Sequence, residues 1–111
     1  MRLLYIAGPY TALSPWEIET NVRTAEMAAI SIMRCYQDVF CYVPHCNTRW
    51  MGCIDEDQAI KGNLEMMTSC DAVFVVGSHE STGTRREVDL ATSLGIPVLR
   101  SLGDLEQFVG Q

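Results

Sequence analysis

The sequence is poor in positive charge and has no long apolar run. Only 8 of its 111 residues are lysine or arginine, against 14 aspartates and glutamates, and the formal net charge is −6. Nonspecific binding to DNA or RNA depends on clustered lysine and arginine, so a polymeric nucleic acid is not an expected partner. No apolar stretch approaches the roughly 20 residues that cross a bilayer, and Met1 leads directly into a predicted strand. We therefore expect a cytoplasmic protein without a membrane partner.

The five cysteines form no C-x-x-C pair, and their number is odd. This pattern is typical of buried reduced thiols rather than of disulfides or a zinc site. The acidic run at residues 55–57 has its simplest interpretation as the start of a helix. We expect neither a bound metal nor a cofactor.

Apolar runs alternate with helical periodicity along the chain, and glycine or proline ends most of the runs. The expected elements are strand 2–7, helix 15–36, strand 39–43, helix 56–69, strand 71–76, helix 85–94, strand 96–99 and helix 104–109. Residues 45–57 show no period and are expected to form a connecting loop that contacts substrate. This order predicts a single domain over residues 1–111 with a flavodoxin-like or Rossmann-like α/β fold. The fold is a three-layer sandwich around a four-stranded parallel sheet in strand order 2-1-3-4.

In such a sheet, ligands bind at the carboxyl ends of the strands, where the strand order reverses. Loop 8–10 and loop 77–83 are expected to meet there, with Glu87 at the floor of the crevice between them. A purely structural explanation of Glu87 is also available. Thr84 to Glu87 reads T-x-x-E, a capping box in which Glu87 only satisfies the backbone at the helix start. The expected position beside the crevice favours the functional interpretation.

Two ordered motifs resemble those of a known superfamily. They are Y-x-x-G-P, from Tyr5 to Pro9, and S-x-G-T-x-x-E, from Ser81 to Glu87. Together with P-H at residues 44–45 and G-I-P-V at residues 95–98, they resemble the nucleoside 2-deoxyribosyltransferase-like superfamily, above all its small phage and bacterial members. The resemblance covers nearly the whole chain.

The resemblance implies N-glycosidic bond chemistry on a nucleoside or nucleotide. Glu87 would attack the anomeric carbon and Tyr5 would donate a hydrogen bond to it, following the logic of a retaining glycosidase. For this attack Glu87 must be ionised, and the nearby helix N-terminus is expected to favour ionisation. The expected substrate-binding residues are Gly8, Pro9, Tyr10, His45, Asn63, Gly77, Ser81, Gly83 and Thr84.

Two positions depart from the transferases of this superfamily. Asn63 and Ser81 stand where those enzymes carry aspartates that bind and protonate the base. A serine at this position resembles the nucleoside 5′-monophosphate N-glycosidases, in which it helps to hold the phosphate. A hydroxyl and free amides on a glycine loop at a helix start suit a phosphate. Hydrolysis of a nucleoside 5′-monophosphate is therefore expected in preference to base exchange.

Three alternatives remain open. The chain is also consistent with a nucleotide-sensing module without catalysis and with an interaction protein of inherited fold. A phosphoribohydrolase of the lysine-decarboxylase-like group is a third alternative, although the Gly-Gly that begins its G-G-x-G-T-x-x-E loop is missing here. A homo-oligomer, by default a dimer, is expected because a four-stranded sheet has two open edges. The side chains expected on the apolar surface are Trp16, Met27, Met66 and Met67.

The remaining polar and aromatic positions have mostly structural interpretations. Trp50 is expected to pack or to stack on a base, and one of Arg85 and Arg86 is expected to face the crevice. Asp71 is expected to bond backbone. His79 and Glu80 are expected to be solvated loop tips.

Overall fold

The computed structural model of the chain describes residues 1–49, 51–77 and 79–110. The strands are β1 (Arg2–Ala7), β2 (Val39–Tyr42), β3 (Ala72–Val75) and β4 (Val98–Leu99). The helices are α1 (Pro15–Cys35), α2 (Pro44–Thr48), α3 (Glu56–Thr68), α4 (Thr82–Ser93) and α5 (Leu102–Val109).

The four strands form one all-parallel sheet in the order β2-β1-β3-β4, which confirms the predicted fold class and strand order. Tyr5 of β1 lies in register with Tyr42 of β2 on one side and with Val73 of β3 on the other. The strand order reverses between β1 and β3, so the carboxyl ends of these two strands are the expected ligand-binding end of the sheet.

Helices cover both faces of the sheet, because successive side chains of a strand point to opposite faces. Leu4 and Ile6 of β1 pack in the cluster that includes Ala25 of α1 and Leu105 of α5. On the other face, a second cluster contains Tyr5, Ala7, Met67, Val73 and Ala91. Helix α1 faces the sheet with its buried residues, which are Val22, Ala25, Ala29 and Ile32.

The segment after β2 departs from the prediction, because residues 44–48 form the short helix α2 rather than a loop. Pro44 stands at its first turn, where the fixed φ of proline suits a helix and its missing N–H leaves no bond unmade. A helix of five residues is too short to show a clear apolar period, and for this reason the sequence did not reveal it.

Helix α5 begins two residues earlier than predicted. Ser101 caps it by accepting a hydrogen bond from the Asp104 amide at 3.1 Å. Asp104, the predicted first residue of this helix, accepts a hydrogen bond from the Arg100 amide at 3.0 Å.

The surface predictions are confirmed only in part. Trp16 and Met27 are 76% and 66% exposed and Met66 is 48% exposed, but Met67 is fully buried on the core face of α3.

All five cysteines are free. Only Cys41 is buried, so the expectation of buried thiols is wrong for the exposed Cys35, Cys46 and Cys53. Within the described part of the chain, no helix has the length and apolar character to cross a membrane. Oligomerisation stays a prediction.

Candidate active site

The two predicted catalytic residues are in direct contact. Tyr5 lies on the central strand β1 with its side chain fully buried, and its hydroxyl donates a hydrogen bond to Glu87 Oε2. Glu87 comes from the second turn of α4, which packs on the same face of the sheet as Tyr5. The fold therefore brings together a carboxylate and a phenol that are 82 residues apart in the sequence.

The capping explanation of Glu87 is wrong. Helix α4 begins at Thr82, three residues before the predicted start, because Ser81 is its N-cap. The Oγ of Ser81 accepts from the Thr84 amide at 3.1 Å. A capping-box carboxylate belongs at the third helical residue, which here is Thr84. Glu87 lies a turn further along the helix, where its carboxylate accepts the hydrogen bond from the Tyr5 hydroxyl.

Burial sets the protonation of this pair. It raises the pKa of Glu87 from 4.5 to about 7, although the Tyr5 hydrogen bond and the nearby Arg86 charge both lower it. The expected help from the helix N-terminus is small, because Glu87 lies in the second turn of α4 and that effect fades beyond the first turn. Burial and the adjacent carboxylate also raise the pKa of Tyr5, so its hydroxyl stays protonated as a donor.

Tyr42 extends the site toward α3. Its ring lies beside that of Tyr5, with centroids 5.7 Å apart, and its hydroxyl donates to Asn63 Oδ1 at 3.0 Å. Asn63, a predicted substrate-binding residue, is therefore connected to the pair of Tyr5 and Glu87 through Tyr42, whose ring is tilted by 34° from that of Tyr5. The sequence analysis missed Tyr42. The signal available in the sequence was a tyrosine near the carboxyl end of predicted strand 39–43, which the predicted strand order places beside strand 2–7.

The two predicted ligand loops meet at the carboxyl ends of β1 and β3, as expected. A Cβ atom on Gly8 would lie 2.7 Å from Val76 Cγ2, and one on Gly77 would lie 2.8 Å from Pro9 Cδ. Gly77 also has a φ of 99°, which L side chains rarely adopt. Both glycines are thus required for the close approach of the two loops.

Gly77→Ala is expected to destabilise the protein by about 2 kcal/mol or more, because it adds backbone strain and a clash with Pro9. Urea unfolding of this variant measures the cost. Gly52→Ala is the matched control: a Cβ at Gly52 meets no atom of the described residues within 4 Å, and its φ is not positive. Equal stability of the two variants would contradict the loop contact.

His45 supports the first of these loops from α2. It is 4% exposed, and its Nε2 lies 3.0 Å from the Gly8 carbonyl and 3.2 Å from the Pro9 carbonyl. Carbonyl oxygens only accept, so Nε2 carries the proton and donates. Nδ1 has no hydrogen-bond partner among the described residues, and burial lowers the pKa of the ring. His45, predicted to contact substrate, thus holds the loop in place.

Tyr10 completes the loop and is fixed from α1 and α2. Its carbonyl accepts from Asn21 Nδ2 at 3.1 Å, and its ring centroid lies 6.0 Å from that of His45. Asn21 is a second residue that the sequence analysis missed, since nothing distinguishes it from the other polar residues of α1.

Two residues of the predicted phosphate-binding loop, Ser81 and Thr84, bond to each other at the start of α4. Ser81 Oγ and Thr84 Oγ1 lie 2.9 Å apart, and Thr84 is fully buried. The Thr84 amide already donates to Ser81, so the prediction that this amide holds a phosphate is wrong. Gly83 lies in the first turn of α4 with open space where a Cβ would stand, apart from Ser81 Oγ at 3.9 Å.

Two cavities flank the loop contact. One, of about 360 Å³, is lined by Val75, Gly77, His79, Glu80 and Arg100. The other, of about 340 Å³, is lined by Thr11, Ala12, Leu13, Trp16, Glu17, Thr20, Asn21 and His79. Neither of the two is lined by Tyr5 or Glu87, so the position of Glu87 at the floor of a crevice stays a prediction.

The sequence matches a protein family, the domain of unknown function DUF7768, over residues 2–101. The chain belongs to this family. No curated protein matches it. The matched region contains all the candidate site residues, from Tyr5 to Glu87, and ends just before α5 begins.

For the other polar residues of this DUF7768 domain, some of the predicted roles agree with the structure and others do not. Asp71 accepts from the Leu3 amide at 2.7 Å, which confirms its predicted backbone role. Glu80 is not a solvated loop tip, because its carboxylate pairs with two arginines. The acidic run does begin a helix, with Glu56 and Asp57 in the first turn of α3. Trp50 lies outside the described residues.

Proposed function

We propose that this DUF7768 domain is related to the nucleoside 2-deoxyribosyltransferase-like enzymes and cleaves the N-glycosidic bond of a nucleoside 5′-monophosphate. Glu87 is the nucleophile and Tyr5 is the donor that orients it. The observation that carries the proposal is the buried contact between the Tyr5 hydroxyl and the Glu87 carboxylate. The motif resemblance supports the same pair, because one motif contains Tyr5, the other contains Glu87, and the two side chains share a hydrogen bond.

In the proposed reaction, a carboxylate oxygen of Glu87 forms a bond to the anomeric carbon while the bond from that carbon to the base nitrogen breaks. The electron pair leaves with the base, which takes up a proton. Water then attacks the same carbon as the bond from that carbon to the Glu87 oxygen breaks, which releases the sugar phosphate, restores the carboxylate and gives one proton to solvent. A glutamate with a pKa of about 7 is ionised in about half of the molecules at neutral pH, and such poised carboxyl groups are common in active sites.

Hydrolysis is favoured over base exchange by the side chains at two positions. Exchange needs an acid that protonates the departing base and a base that deprotonates the incoming one. Asn63 is an amide bonded to Tyr42, and Ser81 is a helix cap, so neither supplies a carboxylic acid. The proton for the departing base then comes from Glu56 or Asp57 at the start of α3, from a neighbouring subunit or from the protonated base itself.

The test is to incubate the protein with deoxynucleosides and with their 5′-monophosphates, with and without a second free base, and to follow base release and exchange by chromatography. We expect release from a monophosphate, formation of one sugar phosphate per base, and no exchanged product. Binding energy from the phosphate should make the unphosphorylated nucleosides poorer substrates.

The alternatives predict different results in the same assay. Efficient exchange between unphosphorylated nucleosides would contradict the proposal. Tight nucleotide binding without turnover would indicate a sensing module, and the absence of any nucleotide binding would indicate an interaction protein.

A further inference from the structure

Two arginines converge on one carboxylate at the carboxyl end of the sheet. Arg100 Nη1, just after β4, contacts Glu80 Oε1, and Arg85 Nη2, from the start of α4, lies 3.8 Å from Glu80 Oε2. The Arg100 backbone is itself held, because its amide donates to Asp104 at 3.0 Å. Two segments of the chain, residues 80–85 and residues 100–104, therefore meet at the Glu80 carboxylate.

This cluster is a local exception to the charge of the protein. The chain has a net charge of −6 and only 8 basic residues, yet two of those residues face the Glu80 carboxylate here, with the Asp104 carboxylate held on the backbone amide of Arg100. Glu80 and Arg100 also line the cavity of about 360 Å³ at the ends of β3 and β4. The cavity provides open space directly beside the paired charges.

The geometry suits a phosphate group better than it suits Glu80. Guanidinium groups offer paired N–H donors that match the oxygens of carboxylates and phosphates, and a phosphate brings more charge and more acceptor oxygens than a carboxylate. The side chains of Arg85 and Arg100 are 69% and 51% exposed. Ion pairs this exposed contribute little net stability, so exchanging Glu80 for a phosphate costs little.

We infer that Arg85 and Arg100 form a binding site for a phosphate group, which takes the place of the Glu80 carboxylate between them. The ligand is a phosphate monoester or free inorganic phosphate. As the phosphate subsite of the proposed nucleotide substrate, the assignment rests on the proposed function, but the binding itself requires no cleavage. It also provides a phosphate contact that the Thr84 amide, already bonded to Ser81, does not.

The experiment is calorimetric titration at low, fixed ionic strength with inorganic phosphate, deoxynucleoside 5′-monophosphates and deoxynucleosides. Arg100→Gln and Arg85→Gln should each weaken binding of the phosphate compounds by about tenfold, because a charge-assisted contact is lost. Glu80→Gln should strengthen it roughly twofold to fivefold, since the competing carboxylate is gone. Arg34→Gln, in the last turn of α1 at the opposite end of the sheet, is the matched control and should bind as the unmodified protein does.

The direction of the Glu80→Gln effect decides between a binding site and a merely structural ion-pair cluster. Weaker or unchanged phosphate binding in Glu80→Gln, or unchanged binding in both arginine variants, would overturn the inference. Circular dichroism of each variant establishes that it is folded. Monophosphates binding more tightly than inorganic phosphate identify the nucleotide as the source of the group, and equal affinities identify the free anion.

The same variants separate this inference from the proposed function. Arginine-dependent phosphate binding without any base release would leave the phosphate site standing and refute the cleavage reaction. Base release from monophosphates that is unchanged in Arg85→Gln and Arg100→Gln would support the cleavage reaction and refute the phosphate site.

Discussion

Glu87→Gln is expected to abolish base release while making the folded protein more stable at alkaline pH. Glutamine has the same shape and can still accept the Tyr5 hydrogen bond, but it cannot form the bond to the anomeric carbon. Removing a nucleophile costs on the order of a thousandfold or more in turnover. A buried glutamate without a catalytic role would give the stability result alone, and an exposed one would give neither.

The sign of the stability effect follows from the pKa of Glu87. In the folded protein it is about 7, above the ordinary value of 4.5, so the folded state holds a proton that the unfolded chain has released. The contribution of this group to stability is therefore fully present below pH 4.5 and is lost as the pH rises through 7. The shift corresponds to roughly 3 kcal/mol at most, since the side chain keeps some contact with solvent. Glutamine carries no charge and avoids this loss.

Urea unfolding at pH 4.5 and pH 8 measures the effect. Glu87→Gln should match the unmodified protein at pH 4.5 and exceed its stability by about 1–3 kcal/mol at pH 8. Glu65→Gln, on the exposed side of α3, is the control. Its free energy of unfolding should differ from that of the unmodified protein by the same amount at both pH values. His45 acts in the opposite sense, because its lowered pKa removes stability as the pH falls below 6.5. That contribution is common to both proteins and cancels in the comparison.

An active Glu87→Gln protein would exclude Glu87 as the nucleophile. A variant less stable than the unmodified protein at pH 8 would show instead that the carboxylate is ionised and stabilising in the fold. The two measurements are independent, so the stability result remains informative even if no substrate is found.

The fold was predictable because local signals agreed with one another. Apolar runs, helical stripes and glycine or proline stops all indicated alternating strands and helices, and the connection rules left one simple strand order. The start of α4 was not predictable in the same way. Ser81 and Thr84 are both good caps three residues apart, and only Thr84 completes a T-x-x-E box with Glu87. The choice between them is made by the contact of Glu87 with Tyr5, which local sequence does not contain.

The same limit applies to the pairs that complete the site. The bond between Tyr42 and Asn63 spans 21 residues, and that between Glu80 and Arg100 spans 20. Each depends on the register of neighbouring strands and on the angle of a helix rather than on spacing along the chain. The motifs therefore indicated the pair of Tyr5 and Glu87, but nothing in the sequence indicated the hydrogen bonds from Tyr42 to Asn63 and from Arg100 to Glu80.

Tyr5→Phe is expected to move the pH dependence of activity rather than simply to lower activity. The Tyr5 hydrogen bond lowers the pKa of Glu87, so its loss should raise that pKa further above 7. Less of the nucleophile is then ionised at pH 7, and kcat should fall by about tenfold there and recover in part as the pH approaches 9. KM should change less, because the phenyl ring keeps its place in the core.

Tyr42→Phe is the matched control for this prediction. It removes the same hydroxyl from a neighbouring tyrosine, but that hydroxyl donates to Asn63 and not to Glu87. The pH profile of kcat should therefore stay where it is in Tyr42→Phe and shift to higher pH in Tyr5→Phe. Urea unfolding gives a second readout: the pH at which stability is lost should also rise in Tyr5→Phe alone. If both variants keep the original pH profile, Tyr5 does not control the protonation of Glu87, and its role is confined to packing beneath the site.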